Sequence, residues 1–309
     1  DAILTLSATK KLAEQIFVAA VLIVLGKFRF TSLHGFLGVG EIPYIFSVLL
    51  TGFVFIVFIN AFNLIDGIDG LAAGLSIFSA TVFGTWFFLA GHFEFAIISF
   101  SMAGALSGFF FYNVYGKGNK IFMGDTGSLI LGTIMGILVI EFNEFNIDQT
   151  APYAIYSSPA VSFGILIYPL LDTLRVFAIR IIQKKSPFTA DKNHTHHRLL
   201  ALGMNHKQAT YLIIAVNALF TMAVLNLKEI GIFRLMAFNL FVGGILLLLP
   251  SYLLGIKKTI PANDPYQKII FFDNPIFVSN KEKHLTNGAA EPTLPGKTIK
   301  ERLQRICFW

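Results

Sequence analysis

The sequence predicts an all-α protein, a polytopic bundle of transmembrane helices whose working face lies at one membrane surface. Three observations predict it. Of 309 residues, 55% are hydrophobic and only 14% are charged, against about 45–50% and about 25% in ordinary soluble domains. The apolar residues gather in long runs, and the remaining charges sit at the ends of those runs. A mean hydropathy of +0.68 excludes disorder, collagen, a coiled coil and a disulfide-stapled module. The 33 phenylalanines suit lipid contact and helix packing. The single Cys307 cannot close an intramolecular disulfide. The opening DAILTLSATK lacks a charged leader before an apolar run, so it does not read as a signal peptide.

A spanning helix needs about 20 mostly apolar residues. Eight stretches qualify, near 12–26, 44–62, 71–90, 95–113, 127–141, 158–182, 209–227 and 230–254. The first is short, and the sixth turns polar in its last third. Gly104, Gly108, Gly132, Gly136, Gly243 and Gly244 fall inside these runs and suit close helix approach.

The net charge of +6 raises nucleic acid as a partner, but topology explains the charge better. Alternate connecting segments carry Lys10, Lys11, Lys117, Lys120, Arg175, Arg180, Lys184, Lys185, Lys192, Arg198 and Lys207. The opposite segments carry only Lys27, Arg29, Lys228 and Arg234, with the acidic stretch EFNEFNID at 141–148. The basic set is therefore expected on the cytoplasmic side. Residues 1–254 form the membrane core. Residues 255–309, with 14 of the 42 charged residues, read as a cytoplasmic tail, either poorly ordered or anchored by a basic amphipathic stretch near 297–306.

Three polar clusters stand out, and the predicted topology puts all of them on the cytoplasmic face. The first is NAFNLIDGIDGLAAG, 60–74. Asn60, Asn63, Asp66 and Asp69 recur every third residue, a spacing that drifts slowly around one helix face and can bring them to one site. Gly67 and Gly70 follow the aspartates and are expected to end or loosen the helix. Carboxylates with amides beside them suit a hard cation, or a phosphate held through one. Helix-end capping is the plainer alternative, although acidic residues in apolar surroundings are costly and usually functional.

The second cluster is KIFMGDTGSLILG, 120–132. Asp125 between glycines before an apolar run fits an N-cap. It equally fits a ligand for Mg²⁺ carrying a diphosphate. Lys117 and Lys120 add positive charge for an anionic substrate. The third is SPFTADKNHTHHRLLALG, 186–203, where His194, His196 and His197 sit with Asp191, Lys192 and Arg198. Zinc is disfavoured because structural zinc sites usually need four ligands and no thiolate set is present. Imidazoles and cations together suit a phosphate or a nucleotide, and Pro187 and Phe188 suggest a shaped loop. Asp172, three residues before Arg175, reads as an intrahelical ion pair or as a support beneath the histidine loop. His34, His92 and His206 look like isolated loop residues with no role.

Together these clusters describe a membrane-surface site that joins a soluble phosphorylated donor to a membrane-embedded acceptor. The order NAFNLIDGIDGL, FMGDTGS, ADKNHTHHRLL resembles the polyprenyl-phosphate N-acetylhexosamine-1-phosphate transferase family, over about residues 1–255. That family includes bacterial enzymes that start O-antigen, enterobacterial common antigen and wall teichoic acid. The peptidoglycan and dolichol-phosphate enzymes are its relatives. The resemblance implies Mg²⁺-dependent (or Mn²⁺-dependent) attack of a polyprenyl phosphate, usually undecaprenyl phosphate, on the β-phosphate of a UDP-sugar, releasing UMP.

Carried over by motif, Asp125 and Asp66 become metal ligands, and Asp1, Asp66, Asp69 and Asp125 become catalytic. Asn60 and Asn63 organise the nucleotide and metal side. His194, His196 and His197 contact the donor diphosphate, with Lys120 and Arg198 beside them. The HTHH form followed by Arg198 is closer to the GlcNAc-type branch, which points to UDP-GlcNAc. The resemblance further implies a bacterial inner membrane, a cytoplasm-facing site and an assembly compatible with a homodimer.

One departure concerns Asp1. The family carries an Asp–Asp pair before a segment like LSATKKLAEQ, and here Ala2 follows Asp1. Asp1 is either the first or the second member of that pair. Family members also have ten or eleven spans, so two or three more are expected ahead of residue 1. Residues 1–309 alone are expected to be inactive or impaired, and robust UMP release by them would overturn this. The main rival class is a transporter, which predicts acidic residues at mid-membrane rather than at helix ends. A CDP-alcohol phosphatidyltransferase needs a DG…AR…G…D…D run that residues 66–90 lack.

Overall fold

The computed structural model describes residues 8–184 and 194–259. Asp1, Pro187, Phe188, Asp191, Lys192, the stretch 297–306 and Cys307 lie outside the described residues. The chain forms α1 (Ala8–Val24), α2 (Tyr44–Ile65), α3 (Leu71–Ala90), α4 (Phe93–Tyr115) and α5 (Gly124–Phe145). It continues through α6 (Ser158–Ile165), α7 (Ile167–Ile182), α8 (Thr195–Ala201), α9 (His206–Asn226) and α10 (Ile232–Thr259). Among the described residues the only β pairing is one isolated bridge between Ser32 and Glu41.

Six helices, α2, α3, α4, α5, α9 and α10, are long and apolar enough to cross a membrane. They are apolar on all sides, as a helix must be when one face meets lipid and the other meets protein. Leu49, Phe53, Phe88, Leu219 and Phe241 are exposed on outer faces, while Phe55, Phe62, Phe83, Phe87 and Phe142 fill the core. This is a multi-pass membrane protein.

Two of the eight expected spans differ. The first, α1, has 17 residues and packs beside α2. The sixth is two helices, broken at Leu166 (φ −108°, ψ 27°). Pro169 in the first turn of α7 supplies no amide, which suits a helix start and not a helix interior. The opened backbone is closed by α9: Asn217 donates from Nδ2 to the Ile165 carbonyl (3.0 Å) and accepts from the Tyr168 amide (3.4 Å). A backbone break in lipid survives only where protein groups satisfy it in this way.

α2 and α5 cross closely because Gly132 has no side chain. A Cβ on Gly132 would lie 2.5 Å from the Ile59 Cα. Gly136 meets the Phe55 ring and Gly243 meets Leu171 and Ile167. Gly104, Gly108 and Gly244 have nothing within 4 Å of a Cβ, so they do not mark close contacts within the chain. α3 and α4 form a hairpin, α6 packs on α9 and α10, and α8 rests on α9 and α10.

Candidate active site

The end of α2, the start of α5 and the short α8 meet at one end of the bundle. α2 stops at Ile65, with Asp66 as its C-cap, and Gly70 (φ 76°) turns the chain into α3. The helix therefore ends where the glycines predicted. The helical-face argument for Asn60 to Asp69 fails beyond Ile65 for the same reason, and the four polar residues divide among three sets of partners.

Asn60 exchanges amide hydrogen bonds with Gln15 of α1. Asn63 donates from Nδ2 to the Asp125 carboxylate (3.2 Å) and to the Ser128 hydroxyl (2.9 Å). The other Asp125 oxygen pairs with the Lys11 ammonium. Asp66 has no hydrogen-bond partner among the described residues. Burial, with the Asp125 and Asp69 carboxylates nearby, pushes its carboxyl up to about 7.

Asp69 faces elsewhere, toward Lys120 (2.6 Å) and His206 (3.3 Å). Burial raises its pKa, but the hydrogen bonds from His206 and Lys120 outweigh this and hold it below the ordinary carboxylate value. The turn is clamped from two sides. Asn113 accepts from the Gly70 amide (2.6 Å) and donates to the Ile121 carbonyl (2.8 Å), tying the first motif to the second. Thr210 of α9 donates to the Asp69 carbonyl (2.7 Å).

The histidines are organised by Asp172. Its buried carboxylate accepts from His194 Nδ1 (2.8 Å), from the Thr195 amide (3.1 Å) and hydroxyl (2.6 Å), and from Arg175 (2.9 Å). Both readings of Asp172 are thus realised together. His196 is fully buried with its ring against the first motif: a Cβ on Gly67 would lie 2.4 Å from His196 Nε2. Burial first, then the neighbouring His197, lowers the His196 pKa to about 3, so its ring is neutral at physiological pH. Both His196 ring nitrogens and His194 Nε2 lack a hydrogen-bond partner among the described residues. The His197 ring lies 4.3 Å from that of His196. Arg198 donates to the Ser251 hydroxyl, and Lys257 donates to the carbonyls of Ala201 (3.3 Å) and Leu202 (3.0 Å) at the end of α8.

Among the described residues no group of three or more His, Cys, Asp or Glu side chains is gathered to hold a metal. Mg²⁺ does not require one. It is commonly bound by one or two carboxylates, with waters and substrate phosphates completing the octahedron. Asp66, an unpartnered carboxylate beside Asp125, and the Asn63 amide form a hard oxygen donor set that fits this ion.

Lys11, Gln15, Asn113, His206 and Thr210 shape the site and were not among the residues expected there, whereas Asp172 was expected as an ion pair or a support beneath the histidine loop. Lys11 looked like a topological charge, and His206 looked like a loop residue although its ring meets Asp69. Apart from the Asn113–Ile121 bond, the bonds that bring Lys11, Gln15, Asn113 and Thr210 to the site span 43 to 141 residues of chain, so local pattern carries little trace of them. The Arg175 spacing gave a partial signal for Asp172.

The fold and site define a multi-pass membrane protein with an acidic, amide-rich and histidine-lined centre at one end of the bundle. Residues 1–143 match the family model described as glycosyl transferase family 4. The chain is 36% identical to a decaprenyl-phosphate N-acetylglucosaminephosphotransferase of Mycolicibacterium smegmatis, over 67% of this chain and 54% of the relative. It is 34% identical to the undecaprenyl-phosphate α-N-acetylglucosaminyl 1-phosphate transferase of Escherichia coli, over 71% and 56%. It is also 34% identical to a probable undecaprenyl-phosphate N-acetylglucosaminyl 1-phosphate transferase of Bacillus subtilis, over 55% and 45%. The match over residues 1–143 places the chain in glycosyl transferase family 4. The chain spans about half the length of the curated relatives it matches.

Proposed function

We propose that this chain carries the catalytic face of a transferase that moves a HexNAc-1-phosphate, with UDP-GlcNAc the favoured donor, onto a polyprenyl phosphate such as undecaprenyl phosphate. An oxygen of the lipid phosphate bonds to the β-phosphorus of the UDP-sugar. The bond from that phosphorus to the oxygen bridging the α-phosphate breaks, and UMP leaves. The product begins an envelope polysaccharide at the cytoplasmic side of a bacterial inner membrane. Asp1 is proposed to position the lipid phosphate.

One observation supports this reading above the others: the first motif, at the end of α2 and the turn after it, touches both other motifs. Asn63 bonds to Asp125, and His196 is seated on Gly67. A donor diphosphate at this junction would meet the carboxylates on one side and the imidazoles on the other. Asp66 and Asp125 would hold Mg²⁺ (or Mn²⁺), which supplies charge neutralisation for the phosphates and for the leaving UMP oxygen. The neutral His196 ring can donate one hydrogen bond and accept another, and Asp172 fixes the neighbouring His194 through Nδ1. Lys11 and Lys120 balance the negative charge around Asp125 and Asp69. Preorganised donors of this kind act by electrostatic stabilisation and positioning.

The test uses membranes containing the full-length protein, a panel of UDP-sugars, polyprenyl phosphate and Mg²⁺. UMP release and a lipid-diphosphate-HexNAc identified by mass spectrometry are expected with UDP-GlcNAc. No lipid product with any UDP-HexNAc would overturn the reading.

A further inference from the structure

A cavity of about 180 Å³ lies between α7, α9 and α10, roofed by α8. Its walls include Ile213, Val216, Phe220, Leu246, Leu249 and Leu253. Its polar lining residues are Tyr168, Thr195 and Asn217. Thr195 is committed to Asp172, and Asn217 to the break between α6 and α7. That leaves the Tyr168 hydroxyl, which lies against the His196 backbone amide, as the remaining polar group of the lining. A buried water needs two to four polar partners, whereas a dry apolar cavity of about 150 Å³ takes a benzene-sized apolar guest. The space suits hydrocarbon.

Its position names the source. Leu212 and Leu249 are 42% and 46% exposed, so the cavity opens sideways between α9 and α10, where both helices face the bilayer. Along α10 the lining runs from Gly243 to Leu253. That is about 15 Å at 1.5 Å per residue, half of a hydrocarbon core about 30 Å thick. The depth matches one leaflet. Thr195 and Leu199 of α8 face the cavity, whereas His196 is turned about 100° away onto Gly67. No histidine or carboxylate is among the lining residues. A chain held there touches the flank of α8 and not the reacting groups, so it belongs to a resident lipid and not to the reacting acceptor. Arg198 and Lys257, which tie α8 to α10, stand at the membrane-surface end, where a phosphodiester lies.

We propose that this cavity is a binding site for one acyl chain of a bilayer phospholipid from the site-side leaflet, and that the chain supports α8. The proposal rests on the membrane setting alone and stands whether or not the transfer reaction is as described. The probe is a phosphatidylcholine carrying a diazirine at mid-chain, mixed into phosphatidylcholine vesicles holding the full protein and then photolysed. Peptides around Val216 and Leu246 should be labelled about fourfold above the lipid-facing Phe53 peptide, the factor that burying about one extra methylene produces. Val216→Trp should remove that excess and leave Phe53 labelling unchanged. If Val216→Trp also changes Phe53 labelling, the smaller filling Leu246→Phe is judged by the same criterion. Even labelling over all lipid-facing helices, or an excess that survives both fillings, would overturn the proposal. Displacement of the probe by equimolar polyprenyl phosphate would overturn it too, by assigning the cavity to the acceptor's tail.

Discussion

The two ends of the bundle both place carboxylates and amides against apolar helices, and they differ in which of those groups are bonded. At the end away from the site, Glu144 accepts from the Thr31 amide (2.8 Å) and hydroxyl (2.6 Å). Asn146 there accepts from the Ile155 amide (2.5 Å) and donates to the Phe142 carbonyl (2.6 Å). At the site end, Asp66 has no partner among the described residues, and both nitrogens of the buried His196 are left over. Unmet hydrogen-bonding capacity in a buried place costs stability. The far end also leaves buried atoms unmet, among them Asn143 Oδ1, Ser157 Oγ and Ser158 Oγ, but its Glu144 and Asn146 join a loop to a helix. At the site end the unmet groups are the carboxylate and imidazoles of the polar motifs themselves.

Substitutions can break that contrast. The largest effect is expected for Asp125→Asn, which removes a ligand charge while keeping the bond to Asn63. A loss of about 100-fold or more in kcat, about 2.7 kcal/mol, should appear in Mg²⁺-dependent UMP release, with Tm little changed. Near wild-type turnover would rule out the metal assignment.

The paired His196→Ala, His197→Ala change should raise KM for the UDP-sugar by about tenfold or abolish turnover, since each lost charge-linked hydrogen bond is worth about 1.5–3 kcal/mol. Unchanged kinetics would remove the histidines from donor binding. Gly67→Ala tests the same contact from the other side, because its Cβ would meet His196 Nε2 at 2.4 Å. A loss of about tenfold in kcat/KM is expected, about 1.4 kcal/mol. If the histidines work through their seat on Gly67, adding the His196→Ala change should bring little further loss.

At the far end the signs should reverse. Thr31→Val deletes a donor to Glu144 and should lower stability by about 1–3 kcal/mol, read as a lower Tm in detergent, while kcat/KM stays unchanged. A fall in kcat/KM with no change in Tm would mean that the two ends are not divided as described. The smallest effect is expected for Asn60→Ala, which loses the amide pair with Gln15 and a bond to the Ile56 carbonyl, about 0.5–1.5 kcal/mol.

The sequence made the bundle legible because lipid demands long apolar helices, and its three polar motifs stood out for the same reason. It concealed the break at Leu166, since Ile165 to Ile167 are as apolar as any span and the compensating Asn217 lies in another helix. The motif residues were legible but their division was not. Equal spacing of Asn60, Asn63, Asp66 and Asp69 suggests one face, and only the turn at Gly67 and Gly70 sends Asp69 to Lys120 and His206. Lys11 and Asn113 were illegible as site residues because one resembles a topology signal and the other sits in an ordinary helix end.

The bridge that Asn217 makes across the break has a consequence for biogenesis. The ribosome delivers Ile165 and Tyr168 well before Asn217, which bonds to them from 52 and 49 residues further along the chain. Until α9 enters the bilayer, α6 and α7 hold an open carbonyl and amide in hydrocarbon. Their insertion is provisional up to that moment and is sealed by a later segment, so assembly of this half of the molecule has a fixed order written into one amide.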